Sequence, residues 1–361
     1  MSAATTAALR RELLVRLLDA WLPRALHRSR RLTLVQAYAG EDAGIPGAAL
    51  DVLAEFADRL GGRRVTVAVL DRGLTGGPSY TKSDNKGPFL PAGVSVHPVK
   101  GGPALLPAVL AATQAAGAPL LAYVDLMTRA PAAGHAEPAA GGAGSAAGGA
   151  GSAGGGAGPP GGHAGLAGDE GPDGGAGGGA AVVPLEPVYR AVAAGRPGEL
   201  LLVLPAAARD RDRPVDALAA AGFPLVTEVE LVPVDGAPAE LVVFATASGH
   251  GLDAFKDALW NLDEYAGVRY RDPRDPEGHL LDISLSPHPG PLRRELLARL
   301  ATGPASVAEL RRFAAAATVY RSADVNSVLT ALLAAGTLSR APEHGRLSGD
   351  VVISAAATRT A

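Results

Sequence analysis

The residues best equipped for chemistry are carboxylates placed at the ends of apolar runs. Asp71 closes the run at residues 65–70, and Asp125 closes the run at 120–124. A third run, 32–38, opens into Tyr38-Ala39-Gly40-Glu41-Asp42. A carboxylate at the end of the second strand of an open α/β sheet can accept hydrogen bonds from ribose hydroxyls. A glycine-bearing turn after the first strand lets a ligand approach the backbone, and the next helix turns free N–H groups towards its anionic parts. Ala39, Gly40, Gly44 and Asp71 are therefore the candidate cofactor-binding residues. Asp125 is the candidate catalytic residue, placed in the crevice to orient a substrate amine or hydroxyl.

Each of these has a plainer reading that the sequence leaves open. Asp71 also fits a strand-ending turn, Asp71-Arg72-Gly73, and Asp125 also fits a cap. Glu41 and Asp42 either touch ligand or stabilise the start of the following helix electrostatically. Gly40, Gly44 and Gly47 have three and two residues between them, which is not the dinucleotide pattern G-x-G-x-x-G. His97, His250 and His279 fall on different elements, so no nucleophile–base–orienter set assembles. Lys256 and Trp260, one helical turn apart, are read as seating their helix. His135 and His163 have no third partner at metal spacing and read as solvated linker residues, so no metal site is expected.

The elements that must position these groups alternate. A helix with Leu9, Leu13, Leu14, Leu17, Leu18, Trp21 and Leu22 on one face precedes the first strand. Strands are predicted at 32–38, 65–70, 93–99, 120–124 and 199–204, with helices at 48–60, 104–116, 187–194 and 214–221. Residues 75–93 read as a long polar loop. Two strands, 225–232 and 241–245, then follow without a helix between them. Strand–helix alternation predicts a doubly wound, mostly parallel α/β sheet covered on both faces, and the last pair adds an antiparallel edge. Seven strands closing in such a pair is the layout of a Rossmann-like, class I methyltransferase-like sheet.

The 361 residues have room for about two domains. Residues 132–181 hold 21 Gly and 16 Ala among 50 positions, so they offer almost no side chain to bury and are expected to be a disordered insertion. The division expected is 1–131 and 182–281 as two parts of one Rossmann-like domain around that insertion, then a module over 282–361. Cysteine is absent, which excludes disulfides, Cys-zinc sites, iron–sulfur clusters and thiol nucleophiles. A net charge of −3 excludes bulk attraction to nucleic acid or anionic membrane. Residues 1–21 carry Arg10, Arg11, Glu12, Arg16 and Asp19, and so read as neither signal peptide nor span. A cytoplasmic protein without a membrane partner is the expectation.

Residues 14–21, the strand 32–38 with Ala39–Gly40, and Gly44-Ile45-Pro46-Gly47 resemble the opening of the three-Cys-motif partner (TcmP) family, which has a helix ending near a Trp, a strand and an F-A-G-P-G turn. The block E-L-V-V-F-A-T-A-S-G-H-G-L-D-A-F-K-D-A-L-W at 240–260 is the more specific part. It resembles the family's strand-F-A-T block and G-L-x-x-M-K-x-A-M-W helix through Phe244, Ala245, Thr246, Gly251, Leu252, Lys256, Ala258 and Trp260. The resemblance implies a methyltransferase-like fold, S-adenosylmethionine as cofactor, methyl transfer to an acceptor, and a companion protein. Departures bear on that inference. Tyr38, Glu41 and Asp42 stand where the family has Phe, Pro and Gly. Gln36 replaces an acidic residue, and the family's D-P-F-G appears as Asp125-Leu126-Met127-Thr128.

Past 282, helices are predicted at 291–300, 306–315 (with Ser306 and Glu309 as a capping box) and 323–335. Short strands at 338–340 and 351–353 complete a winged-helix module. Its third helix, 323–335, carries Asp324, Asn326, Ser327 and Thr330 but no Lys or Arg, which favours protein contact or weak, non-specific nucleic-acid contact over base readout. Two functions from different classes remain: a divergent S-adenosylmethionine-dependent methyltransferase, or a non-catalytic adaptor acting through its winged helix and a companion protein.

Overall fold

A computed structural model describes residues 2–39, 44–72, 90–127, 185–262 and 267–356. The insertion at 132–181, Gly40 to Asp42 and most of the polar loop lie outside the described residues. The main sheet takes β1 (Arg31–Tyr38), β2 (Arg64–Asp71), β3 (Val94–Lys100), β4 (Leu120–Asp125), β5 (Gly198–Pro205), β6 (Leu225–Pro233), β7 (Glu240–Thr246), β8 (Val268–Arg271) and β9 (Leu280–Asp282). Its helices are α1 (Ser2–Arg28), α2 (Ile45–Glu55), α3 (Ala57–Leu60), α4 (Leu106–Ala112), α5 (Glu186–Ala193), α6 (Arg209–Asp212), α7 (Pro214–Ala220) and α8 (Gly249–Trp260).

Strand order is β3-β2-β1-β4-β5-β7-β6-β8-β9. The first five strands are parallel to their neighbours, and β7 runs antiparallel to both β5 and β6. The protein is thus α/β, with a mixed sheet that is parallel at its core. The central strands are buried along both faces, which is why β1, β4 and β5 read as unbroken apolar runs rather than alternating ones. One face packs α1, α2 and α8 against Leu34, Val67, Leu121 and Phe244. The other packs α4, α5 and α7 against Val35, Ala68, Ala122 and Val243. The edge strand β3 is half exposed and carries His97, Pro98 and Lys100, residues that discourage further strand pairing.

Two strands beyond the seven expected extend the antiparallel side. β8 pairs with β6 and β9 with β8. At four and three residues they are too short to show a period in the sequence. The helix read over 104–116 is shorter, a single 3₁₀ turn at Pro103–Leu105 followed by α4.

The last part comprises α9 (Gly290–Ala301), β10 (Ala305–Ser306), α10 (Val307–Ala317), α11 (Asp324–Ala334), β11 (Leu338–Ala341) and β12 (Val352–Ala355). The three strands pair in the order β10-β12-β11. Ser306 caps α10 and Glu309 returns the bond, completing the capping box. The link between α10 and α11 docks on the main sheet's helix α8. Trp260 Nε1 donates to Val319 O at 2.9 Å, Lys256 Nζ donates to Thr318 O, and Asp272 Oδ2 accepts from Val319 N at 3.0 Å. Trp260 meets Tyr270 edge-on at 5.3 Å and stacks on Tyr320 at 5.9 Å.

Candidate functional site

The carboxyl ends of β2, β1 and β4 lie side by side, and each delivers one of the residues singled out from the sequence. Asp71 ends β2, Ala39 follows β1, and Asp125 ends β4. Tyr38 pairs in register with Asp125, and Ala39 N donates to Asp125 O at 2.8 Å. Asp71 is buried, and its carbonyl accepts from Gly101 N at 3.0 Å. Gly44 precedes α2 at φ 77°, a left-handed conformation that favours glycine, and Pro46 then sits in the helix's first turn. Residues 40–43, 73–89 and 128–184, further along from β1, β2 and β4, lie outside the described residues.

Asp125 belongs to a buried polar cluster. Its Oδ2 lies 2.6 Å from Arg10 Nη1 and accepts from Tyr123 OH at 3.1 Å, while Oδ1 accepts from Met127 N at 2.9 Å. Arg10 Nε lies 3.2 Å from Glu240 Oε2 at the start of β7. Tyr38 donates to Gln36 at 2.7 Å, and its ring lies 5.8 Å from that of Tyr123. Arg10, Asp125 and Glu240 are each less than a tenth exposed. Burial pushes the carboxyls of Asp125 and Glu240 above their usual range, against the pull of Arg10. Burial also works against the charge of Arg10, but Asp125, Tyr123 and Glu240 leave its pKa above the ordinary value.

Asp125 ends β4 with both oxygens engaged by the protein's own groups. Sequence reasoning did not find Arg10 or Glu240. The signal for Arg10 was available: it lies three and four residues before Leu13 and Leu14, so it falls on the apolar stripe of α1.

Other clusters are separate from this edge. His97 is exposed on β3, and His250 sits in the first turn of α8 with its carbonyl accepting from Arg24. Asp275, Glu277 and His279 bring three ligand-type atoms within 4.8 Å of one another. They already satisfy each other: His279 Nδ1 lies 2.7 Å from Asp275, and Arg294 lies 3.3 Å from Glu277. An open groove of about 600 Å³ runs between α11 and the β11–β12 loop, with Arg311, Asn326, Thr330, Arg340 and Arg346 on its walls. Arg340 donates to the carbonyls of Pro342 and Gly345, each at 2.9 Å, which shapes that loop. No helix is long and apolar enough to cross a membrane among the described residues.

No family model matches this chain, and neither a curated protein nor a solved structure is significantly similar to it.

Proposed function

We propose that the protein is a divergent, Rossmann-like methyltransferase-fold member that binds S-adenosylmethionine at the carboxyl ends of β2, β1 and β4. The observation that carries this reading is the strand order β3-β2-β1-β4-β5-β7-β6 with β7 reversed between β5 and β6. That is the seven-strand arrangement of class I methyltransferases, and it brings Asp71 to the position where such sheets hold a ribose. Asp71 would take the ribose hydroxyls. The turn from Ala39 through Gly40 to Gly44 would lie against the amino-acid end, beside the N-terminus of α2. The bound cofactor would supply an electrophilic methyl group. Asp125, held by Arg10, Tyr123 and Met127, would position the adjoining acceptor pocket rather than take a proton. The resemblance to the three-Cys-motif partner family supports the same assignment and adds a companion protein.

The second reading is a non-catalytic adaptor. It draws support from the carboxylate of Asp125 being engaged internally. A further support is the C-terminal set of three helices and a small sheet, the make-up of a winged helix, whose arginine-lined groove suits a companion or weak nucleic-acid contact.

Thermal melting separates the two. Ligand at about 100 times its dissociation constant adds roughly 2.7 kcal/mol of stability. S-adenosylmethionine should raise the melting temperature of the parent protein, and Asp71→Ala should abolish the shift. An unshifted parent at millimolar cofactor leaves the adaptor reading standing.

A further inference from the structure

We propose that the amino-terminal edge of β1 and β2, opposite the candidate cofactor edge, binds the phosphodiester backbone of a nucleic acid. Arg31 and Arg64 are direct register partners on adjacent parallel strands, and Arg30 and Arg63 immediately precede them. Neighbouring strands lie about 4.8 Å apart, so four guanidinium groups emerge from two strand starts. Like charges placed directly opposite each other oppose strand pairing unless something anionic lies between them. These four residues and Gly62 line a groove of about 320 Å³, and Arg30 and Arg64 are exposed.

Some arginines elsewhere are held by carboxylates, while others, such as Arg311 and Arg340, donate to amide or carbonyl oxygens instead. Arg16 meets Glu12, Arg209 meets Glu228, Arg213 meets Asp216 and Arg321 meets Asp324. At this edge no carboxylate approaches Arg30, Arg31, Arg63 or Arg64 within ion-pair distance among the described residues. Arg63 has a structural role as well, donating to the carbonyls of Leu26 and Ser29 at the end of α1. The acidic groups nearby are Asp58, exposed on α3, and Glu199, which is buried and sits with Arg24 and Arg28.

The occupant follows from what the edge lacks. Protein interfaces rest on buried apolar or aromatic anchors. Among the described residues, the exposed large hydrophobic ones are Leu105, Val234, Leu280, Leu285 and Val352, none of them here. A lone phosphate would engage one or two guanidinium forks, whereas four guanidinium groups from Arg30, Arg31, Arg63 and Arg64 line this groove. Arginine forks match phosphate oxygens in pairs. A polymer of phosphates meets both conditions. With a net charge of −3, the attraction is local to this edge.

The test is fluorescence anisotropy of the full chain with a short fluorescein-labelled single-stranded RNA, titrated with salt. The parent should bind at low salt. The pair Arg30→Gln with Arg64→Gln should bind about tenfold more weakly and flatten the slope of log affinity against log salt by about 1.4, near 0.7 for each lost phosphate contact. Each single change should give about half of that. The paired variant should melt no lower than the parent, because it relieves repulsion. Arg211→Gln with Arg213→Gln, which removes two arginines held by carboxylates, should leave affinity unchanged. Absent binding at low salt would overturn the proposal. So would an unchanged slope in the edge variant, loss of binding only on Arg340→Gln in the C-terminal groove, or a preference for anionic vesicles over RNA.

Discussion

At the scale of single residues, the buried ion cluster makes the sharpest claim. One guanidinium serves two carboxylates inside the fold, so removing it strands both. Arg10→Met should cost about 3–5 kcal/mol, the usual result of breaking a buried pair. Adding Asp125→Asn and Glu240→Gln should recover part of that, and urea unfolding of the single and combined variants would measure the coupling. Both carboxyls have pKa values raised in the folded state by burial. Their protonated forms thus favour folding, and stability attributable to them is lost as pH rises past the ordinary carboxylate range. The loss should be larger in Arg10→Met, where the guanidinium no longer favours ionisation against burial. Lys256 runs the other way. Burial lowers its pKa from 10.5 to about 7, with Asp272 opposing. Between those values the unfolded chain binds a proton that the folded chain does not, so stability rises with pH across that window, by up to about 1.4 kcal/mol per pH unit. Lys256→Met should remove the rise, which denaturant curves at neutral and mildly alkaline pH would show.

At the scale of elements, most helices and strands are held by burial rather than by end chemistry, and α10 is an exception. Ser306 Oγ accepts from Glu309 N at 3.2 Å, and Glu309 Oε2 accepts from Ser306 N at 2.7 Å. Two otherwise orphaned donors are satisfied at once. Ser306→Ala should cost about 1 kcal/mol, and calorimetry should show a lower melting temperature with the spectrum of secondary structure unchanged. Helix α8 is positioned differently. Its Ser248 cap accepts from Gly251 N at 3.2 Å, and its far end reaches the C-terminal helices through Lys256 and Trp260. The block at 240–260 is thus also the block that joins the sheet to the C-terminal helices.

At the scale of the whole molecule, one apolar cluster runs from α1 through the sheet to α9, α10 and α11. The two tryptophans sample it at distant points, Trp21 on α1 and Trp260 beside Tyr320. A shared core predicts cooperative loss. Fluorescence transitions of Trp21→Phe and Trp260→Phe should therefore coincide, each reporting the remaining indole. An early transition at Trp260 alone would mean that the C-terminal helices open before the sheet.

The order of strands and helices was legible in the sequence because parallel strands are buried on both faces and so appear as runs such as Leu-Thr-Leu-Val at 32–35 and Leu-Leu-Ala-Tyr-Val at 120–124. Ser306 and Glu309 declared a helix start because capping is local, a matter of four residues. Asp71 and Asp125 were legible as strand-ending acids for the same reason. Which strand lies beside which was not, since β5 meets β7 rather than β6 through pairings that span about forty residues. Nor could local pattern reveal β8 and β9, which exist only because β6 offers them an open edge. Asp125 is held by Arg10 of α1, 115 residues earlier, and the same Arg10 meets Glu240 of β7, 115 residues later than Asp125. No spacing rule reaches that far. Whether a carboxylate faces a ligand or an arginine depends on which helix covers its strand, and that is decided by packing.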